Sequence, residues 1–128
     1  MTRGKLLKGE KPLLWVGASR RDLMGFPNEV QDSVGFALSV AQFGGKHSAV
    51  KPWKGEGPGV FETVEDRRGD TYRTIYTVKF ERAIYVLHAF QKKSPKGIKT
   101  ARTDVELVSA RLKAAAADYQ ERYGEAKN

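Results

Sequence analysis

The residues best suited to chemistry lie at the end of a strand-like run and in the segment after it. His88, Lys92 and Lys93 are followed by further bases, and no acidic residue occurs up to Arg102. An imidazole can exchange a proton near neutral pH, and ammonium or guanidinium groups bind phosphate. The spacing therefore indicates a site that acts on a phosphate, unless the segment is only a solvated basic loop. The later bases are expected to bind RNA rather than react: Lys96, Lys99 and Arg102.

A further cation, Arg73, lies on the preceding strand-like run. Cleavage of RNA without a metal needs a base for the 2′-hydroxyl, cations for the phosphate and an acid for the leaving oxygen. Together with Arg73, the residues His88, Lys92 and Lys93 offer such groups, and we predict these four as catalytic residues.

Each of these side chains also has a structural interpretation. In a regular strand His88 shares its side with Ile84 and Val86, which is typical of a packed, hydrogen-bonded histidine. Arg73 shares its side with Ile75 and can instead pair with a carboxylate of the sheet. Strand periodicity leaves open which sides align across neighbouring strands. That Arg73, His88, Lys92 and Lys93 lie close together around one phosphate is therefore an expectation.

The segment from Lys51 to Lys54 combines two cations with Trp53. An indole can stack on a base while lysines hold the backbone phosphates. Trp53 can equally cover the hydrophobic core, which we favour. Lys51 and Lys54 are included among the predicted RNA-binding residues.

Composition narrows the functional classes. The 128 residues include no cysteine and two histidines, which excludes disulfides, zinc fingers and iron–sulfur clusters, so no metal or cofactor is expected. A net charge of +8 favours a polyanionic partner. No apolar run approaches the roughly 18 residues that cross a membrane. The polar start, Met1 to Lys11, lacks the apolar stretch of a signal peptide and is expected to be flexible, and we expect a cytoplasmic protein without membrane contact.

The pattern of elements predicts a single α+β domain over residues 1–128, in the order β-α-α-β-β-β-α. Ser19 is the predicted N-cap of a first helix, and a second begins near Asn28. The apolar stripe of the second is Val30, Val34, Ala37, Leu38 and Ala41. Three strands follow, over 60–65, 71–80 and 83–91, as an antiparallel meander. Thr103 and Glu106 form a predicted capping box for the last helix. We expect all helices on one face of the sheet.

Two stretches of this sequence resemble the phage Gp49-like, HigB-type branch of the RelE/ParE toxin superfamily. They are residues 69–76, with the pattern Tyr-Arg-x-x-Tyr, and residues 85–100, with His-x-Phe-x-Lys-Lys. Residues 44–47 and 51–55 are also similar, and the resemblance extends over about 14–119. The combination of the two patterns is far more specific than either one alone.

The resemblance implies a metal-independent, ribosome-associated endoribonuclease that cuts mRNA and is neutralised by a cognate, HigA-like antitoxin with a helix-turn-helix domain. Operator DNA would be bound only through that antitoxin. By position, Arg73 corresponds to the arginine that contacts the reacting phosphate. Lys93 corresponds to a basic residue that serves the phosphate or leaving group. His88 and Lys92 match the motif of this branch, and His88 is the first candidate for proton transfer.

The sequence departs from the wider superfamily on the second strand, where RelE-type members have lysines. Glu62 and Val64 stand there instead, and Lys51 and Lys54 on the preceding loop are possible substitutes. Ala101 replaces a proline common in this branch. Two other functions are consistent with the sequence: a ParE-like inhibitor of DNA gyrase without enzymatic activity, and a basic nucleic-acid-binding module without toxicity.

Overall fold

The computed structural model describes residues 5–93 and 101–124. Within these ranges the chain forms a sheet of five strands with three helices. The elements are β1 (Leu13–Trp15), α1 (Ser19–Met24), α2 (Asn28–Gln42), β2 (Lys51–Pro52), β3 (Val60–Arg67), β4 (Asp70–Thr77), β5 (Ile84–Lys93) and α3 (Arg102–Tyr123). None of these helices is long and apolar enough to span a membrane.

The sheet has the strand order β1-β5-β4-β3-β2 and is mostly antiparallel. The predicted meander is confirmed, because β3 pairs with β4 and β4 with β5, both antiparallel. β1 is the exception and pairs parallel to β5. The tight turn between β3 and β4 has Arg68 at φ 54° and Gly69 at φ 87°. Two consecutive positive φ angles fit a two-residue hairpin turn, whose twist matches that of the strands.

Helices cover both faces of the sheet, which corrects the expectation that they pack on one. Ile84 and Val86 of β5 belong to the core beneath α1 and α2. Tyr85 and Leu87 belong to the core with α3. The unbroken apolar run 83–87 is the sequence signal for a strand buried on both sides. The side of the sheet that packs against α3 is called the α3 face below.

α1 and α2 begin within one residue of the predicted starts, α3 begins two residues earlier than predicted, and the predicted caps are wrong. Ser19 is the first residue of α1, and its buried hydroxyl donates a hydrogen bond to the Val86 carbonyl oxygen at 3.0 Å. Ala101 occupies the N-cap of α3, with no side-chain cap. In α1 a tertiary contact has therefore replaced the predicted local one, whereas in α3 the nearby Asp104 binds a residue of β5. The predicted stripe of α2 is confirmed, because all five of its residues are buried.

Candidate functional site

A bulge in β5 determines which side chains face α3. Ile75 pairs with His88, whereas Tyr76 pairs with Val86, so Leu87 is an extra residue in the ladder. A bulge re-aims the side chains next to it. His88 consequently lies on the α3 face, opposite to Ile84 and Val86, although regular alternation predicts that the three share a side.

The carbonyl oxygen of the bulged residue is satisfied from α3. Arg111 Nη1 donates to the Leu87 oxygen at 3.0 Å. A buried carbonyl that leaves the ladder needs such a partner. The guanidinium lies against Gly17, where an added Cβ would come within 2.9 Å of Arg111 Nε. Arg111 therefore fixes both the bulge and the position of α3 over β5.

Arg73 occupies the same face, directly opposite Val64 on one side and Phe90 on the other. Its Nη1 donates to Glu62 Oε1 at 2.7 Å, and the two side chains are 21% and 15% exposed. The arginine is thus paired with a sheet carboxylate, the structural alternative raised by the sequence. The guanidinium still reaches solvent at the surface of the sheet.

His88 is held between the sheet and the first turn of α3. Its Nε2 lies 2.8 Å from Asp104 Oδ1, and its ring stacks on Phe90 with centroids 4.5 Å apart. The residue is 5% exposed, and Nδ1 is buried with no hydrogen-bond partner among the described residues. In this arrangement the imidazole is not presented to a ligand on the surface. Proton transfer by His88 stays a prediction, and it requires the start of α3 to move.

Two lysines extend the candidate site across the sheet. Lys92 follows Phe90 on the same side of β5, opposite Thr71, and is partly exposed. Lys51, at the far edge, is exposed and directly opposite Glu62. Residues directly opposite in a ladder share a face. Cations therefore stand on both sides of the Glu62–Arg73 pair, and these four residues with Phe90 form the candidate site.

The other predicted residues lie around this site or outside the described ranges. Lys93 ends β5 and pairs in register with Asp70. Lys54 is exposed in the turn after β2, and Trp53 is buried in the core with α3, as we favoured. Arg102 starts α3 and forms an exposed pair with Glu106. Lys96 and Lys99 lie outside the described residues.

The described residues contain no group of three or more histidine or acidic side chains arranged to hold a metal ion. The candidate site itself presents a guanidinium, a carboxylate and ammonium groups, with an aromatic ring beside them. Such a set can bind a phosphate and can accept a proton near it.

Comparison with known families gives a match over most of the chain. The family described as phage derived protein Gp49-like matches residues 21–113, which include the whole candidate site. The chain belongs to this Gp49-like family. No curated protein matches it.

Two solved structures are similar to this Gp49-like chain. A double arginine-to-alanine mutant of the Escherichia coli toxin RelE in the free state is 15% identical, with a TM-score of 0.54 over 82% of this chain and 97% of RelE. The toxin–antitoxin complex RelBE2 from Mycobacterium tuberculosis is 23% identical, with a TM-score of 0.40 over 66% of this chain and 94% of that one. The likeness to RelE confirms the predicted RelE-like α+β fold.

Sequence reasoning missed the partners of the predicted residues in this Gp49-like chain. Glu62 was visible as a departure from the family pattern, but its contact with Arg73 was not. Asp104 follows the predicted cap residue Thr103, and nothing in the sequence pattern indicates that its carboxylate binds His88. Arg111 had no signal, because its role depends on a bulge that the sequence does not reveal.

Proposed function

We propose that this Gp49-like protein is the toxin of a toxin–antitoxin module and acts as a metal-independent endoribonuclease on mRNA at the ribosome. Membership of the Gp49-like family and the RelE-like fold support the class. A likeness in fold does not by itself give activity. The argument for RNA cleavage therefore depends on the candidate site.

The observation that carries the proposal is Arg73, whose side chain is 21% exposed and is flanked on one face by Lys51 and Lys92. A guanidinium has five N–H donors and matches the oxygens of a phosphate. Within the described residues Nη1 donates to Glu62 and Nε is buried without a partner, so the Nη2 donors remain for a ligand. We propose that Arg73 binds the reacting phosphate and that the lysines, with Lys93, attract the RNA backbone.

Phe90 gives this site a second means of holding RNA. Its ring lies beside Arg73 in the ladder, stacks on His88 with one of its faces and is only partly buried. Aromatic side chains stack on unpaired bases with little dependence on sequence. A nucleotide next to the reacting phosphate can therefore stack on Phe90, while Arg73 holds the phosphate.

Toxins of toxin–antitoxin modules are paired with an antitoxin, and this determines the partners that we propose. We propose that a HigA-like helix-turn-helix antitoxin neutralises the protein, and that operator DNA is bound through this antitoxin alone. Co-expression with the neighbouring open reading frame tests this: a stable complex should form, and growth should be restored.

The activity is tested by tightly controlled expression of the full chain, followed by mapping of mRNA 5′ ends with and without translation. Wild type should stop protein synthesis first and create new 5′ ends in translated mRNA. Arg73→Ala should abolish both while circular dichroism shows a folded protein. Arg67→Ala is the matched control, because Arg67 also pairs with a β3 carboxylate but is 43% exposed in its side chain and lies beside the turn.

Three results would contradict the proposal. DNA damage before any loss of translation would indicate a gyrase inhibitor, and harmless overexpression would indicate a non-toxic binding module. Equal growth arrest by Arg73→Ala and wild type would show that the phosphate site lies elsewhere.

A further inference from the structure

Glu62 is the acidic residue that stands where RelE-type members have a lysine, and the structure puts it in contact with the proposed phosphate-binding residue. Its Oε1 accepts the hydrogen bond from Arg73 Nη1 at 2.7 Å. The side chain is 15% exposed, on the face that carries Lys51 and Phe90. The oxygens of a carboxylate accept hydrogen bonds, and a carboxylate within reach of a hydroxyl can accept its proton.

The second oxygen of this carboxylate has a different environment. Among the described residues Arg73 is the hydrogen-bond partner of Glu62, and the bond is made to Oε1. Oε2 is therefore available to a ligand. Because Arg73 would hold the phosphate, Oε2 would lie within a few ångströms of the groups bonded to phosphorus, including the 2′-hydroxyl that attacks it. A general base must come within about 2.6–3.2 Å of the proton-bearing atom.

We propose that Glu62 is the general base of this site and takes the proton from the attacking 2′-hydroxyl. The inference rests on the proposed RNA cleavage and fills the role left open by the missing strand lysines. The bond from the 2′-oxygen to phosphorus forms, and the bond from phosphorus to the 5′-oxygen breaks. The 2′-hydroxyl proton passes to the Glu62 carboxylate, the 5′-oxygen takes a proton from water, and Glu62 then releases its proton to solvent. The products are a 2′,3′-cyclic phosphate and a 5′-hydroxyl.

Arg73 places the proposed base next to the phosphate that it would act on. Its charge is shared between the carboxylate and the phosphate, so a single guanidinium orients both the base and the electrophile. The competing interpretation is that Glu62 only positions Arg73. Glutamine separates the two, because its amide oxygen still accepts the Arg73 bond but cannot take up the proton.

The experiment measures single-turnover cleavage of a model mRNA in programmed ribosomes across a range of pH, with the same mRNA free in solution as a second substrate. Glu62→Gln should lower the cleavage rate by about 10²–10⁴-fold, the usual contribution of a general base. It should also lose the acidic limb of the wild-type pH profile, while Glu62→Asp retains this limb at a reduced rate. Binding of an mRNA with a 2′-deoxy nucleotide at the mapped site should change less than about threefold.

Glu65→Gln is the matched control. Glu65 lies on the same strand but on the other face, where it pairs with Arg67 at 2.6 Å. Its replacement should leave the rate and the pH profile unchanged. The wild-type 5′ ends should carry a hydroxyl, so that they are ligated only after treatment with a kinase.

Two outcomes would overturn the assignment of Glu62 alone: wild-type rates for Glu62→Gln, or a slower Glu62→Gln that keeps the acidic limb. The second would make Glu62 a positioning residue. If wild type cuts neither substrate, the proposed function itself fails, and this result is distinguishable because it does not involve the variant.

Discussion

Replacing Asp104 with alanine removes the contact that joins the first turn of α3 to β5. The His88 and Asp104 side chains are 7% and 22% exposed, and the bond between them is 2.8 Å long. Hydrogen bonds to charged groups contribute about 1.5–3 kcal/mol to stability. The aspartate also lies near the positive end of the α3 dipole, which adds about 0.3–1 kcal/mol. We expect Asp104→Ala to lower the free energy of unfolding by about 2–4 kcal/mol.

This loss converts to a measurable change in melting temperature. The entropy of unfolding is about 2.1 cal/mol/K per residue, so 128 residues give about 0.27 kcal/mol/K. The melting temperature should therefore fall by about 7–15 °C. Urea titration and thermal melts followed by circular dichroism measure both quantities.

Glu106→Ala is the matched control in the same helical turn. Its pair with Arg102 is exposed, at 65% and 88% of the side chains, and such pairs contribute less than about 0.5 kcal/mol. A double-mutant cycle of Asp104→Ala with His88→Ala separates the pair from the helix dipole and should give a coupling of about 1 kcal/mol or more. A coupling near zero, or equal effects of Asp104→Ala and Glu106→Ala, would refute the reasoning.

Two further predictions concern the core. Burial raises the pKa of Tyr76 from 10.0 to about 12. Because the pKa is higher in the folded than in the unfolded state, the folded state loses stability as the pH rises from about 10 to about 12. The total loss is about 3 kcal/mol, and there is none below about pH 10. Tyr76→Phe should remove this part of the loss of stability at alkaline pH, which urea titrations at pH 8 and 11 would measure. The substitution also deletes a buried hydroxyl that has no partner among the described residues. An unchanged loss of stability at alkaline pH would contradict the assignment to Tyr76. Trp53→Ala should lower the free energy of unfolding by about 3–5 kcal/mol, because the indole is buried in the core with α3. Lys54→Ala, at an exposed neighbour, should leave it unchanged in the same titration. An unchanged free energy of unfolding for Trp53→Ala would mean that the indole does not pack there.

The proposed site shows how prediction from sequence reaches its limit. Arg73, His88 and Lys92 were selected from residue type and motif, and the structure brings all three to one face. The same structure pairs Arg73 with Glu62 and encloses His88 beside Asp104. These partners are distant in sequence and belong to different elements, so no local pattern could reveal them.

The sequence by itself determined most of the elements, because alternation in strands and three-to-four spacing in helices are local properties. It did not indicate the two-residue strand β2, which pairs with the edge of β3. The stripe of α2 and the three long strands were predictable in this way. Only the tertiary structure decided that helices cover both faces and that one extra residue, Leu87, turns His88 towards α3. Cross-strand register sets which side chains become neighbours, and it results from the packing of the whole sheet rather than from any one strand.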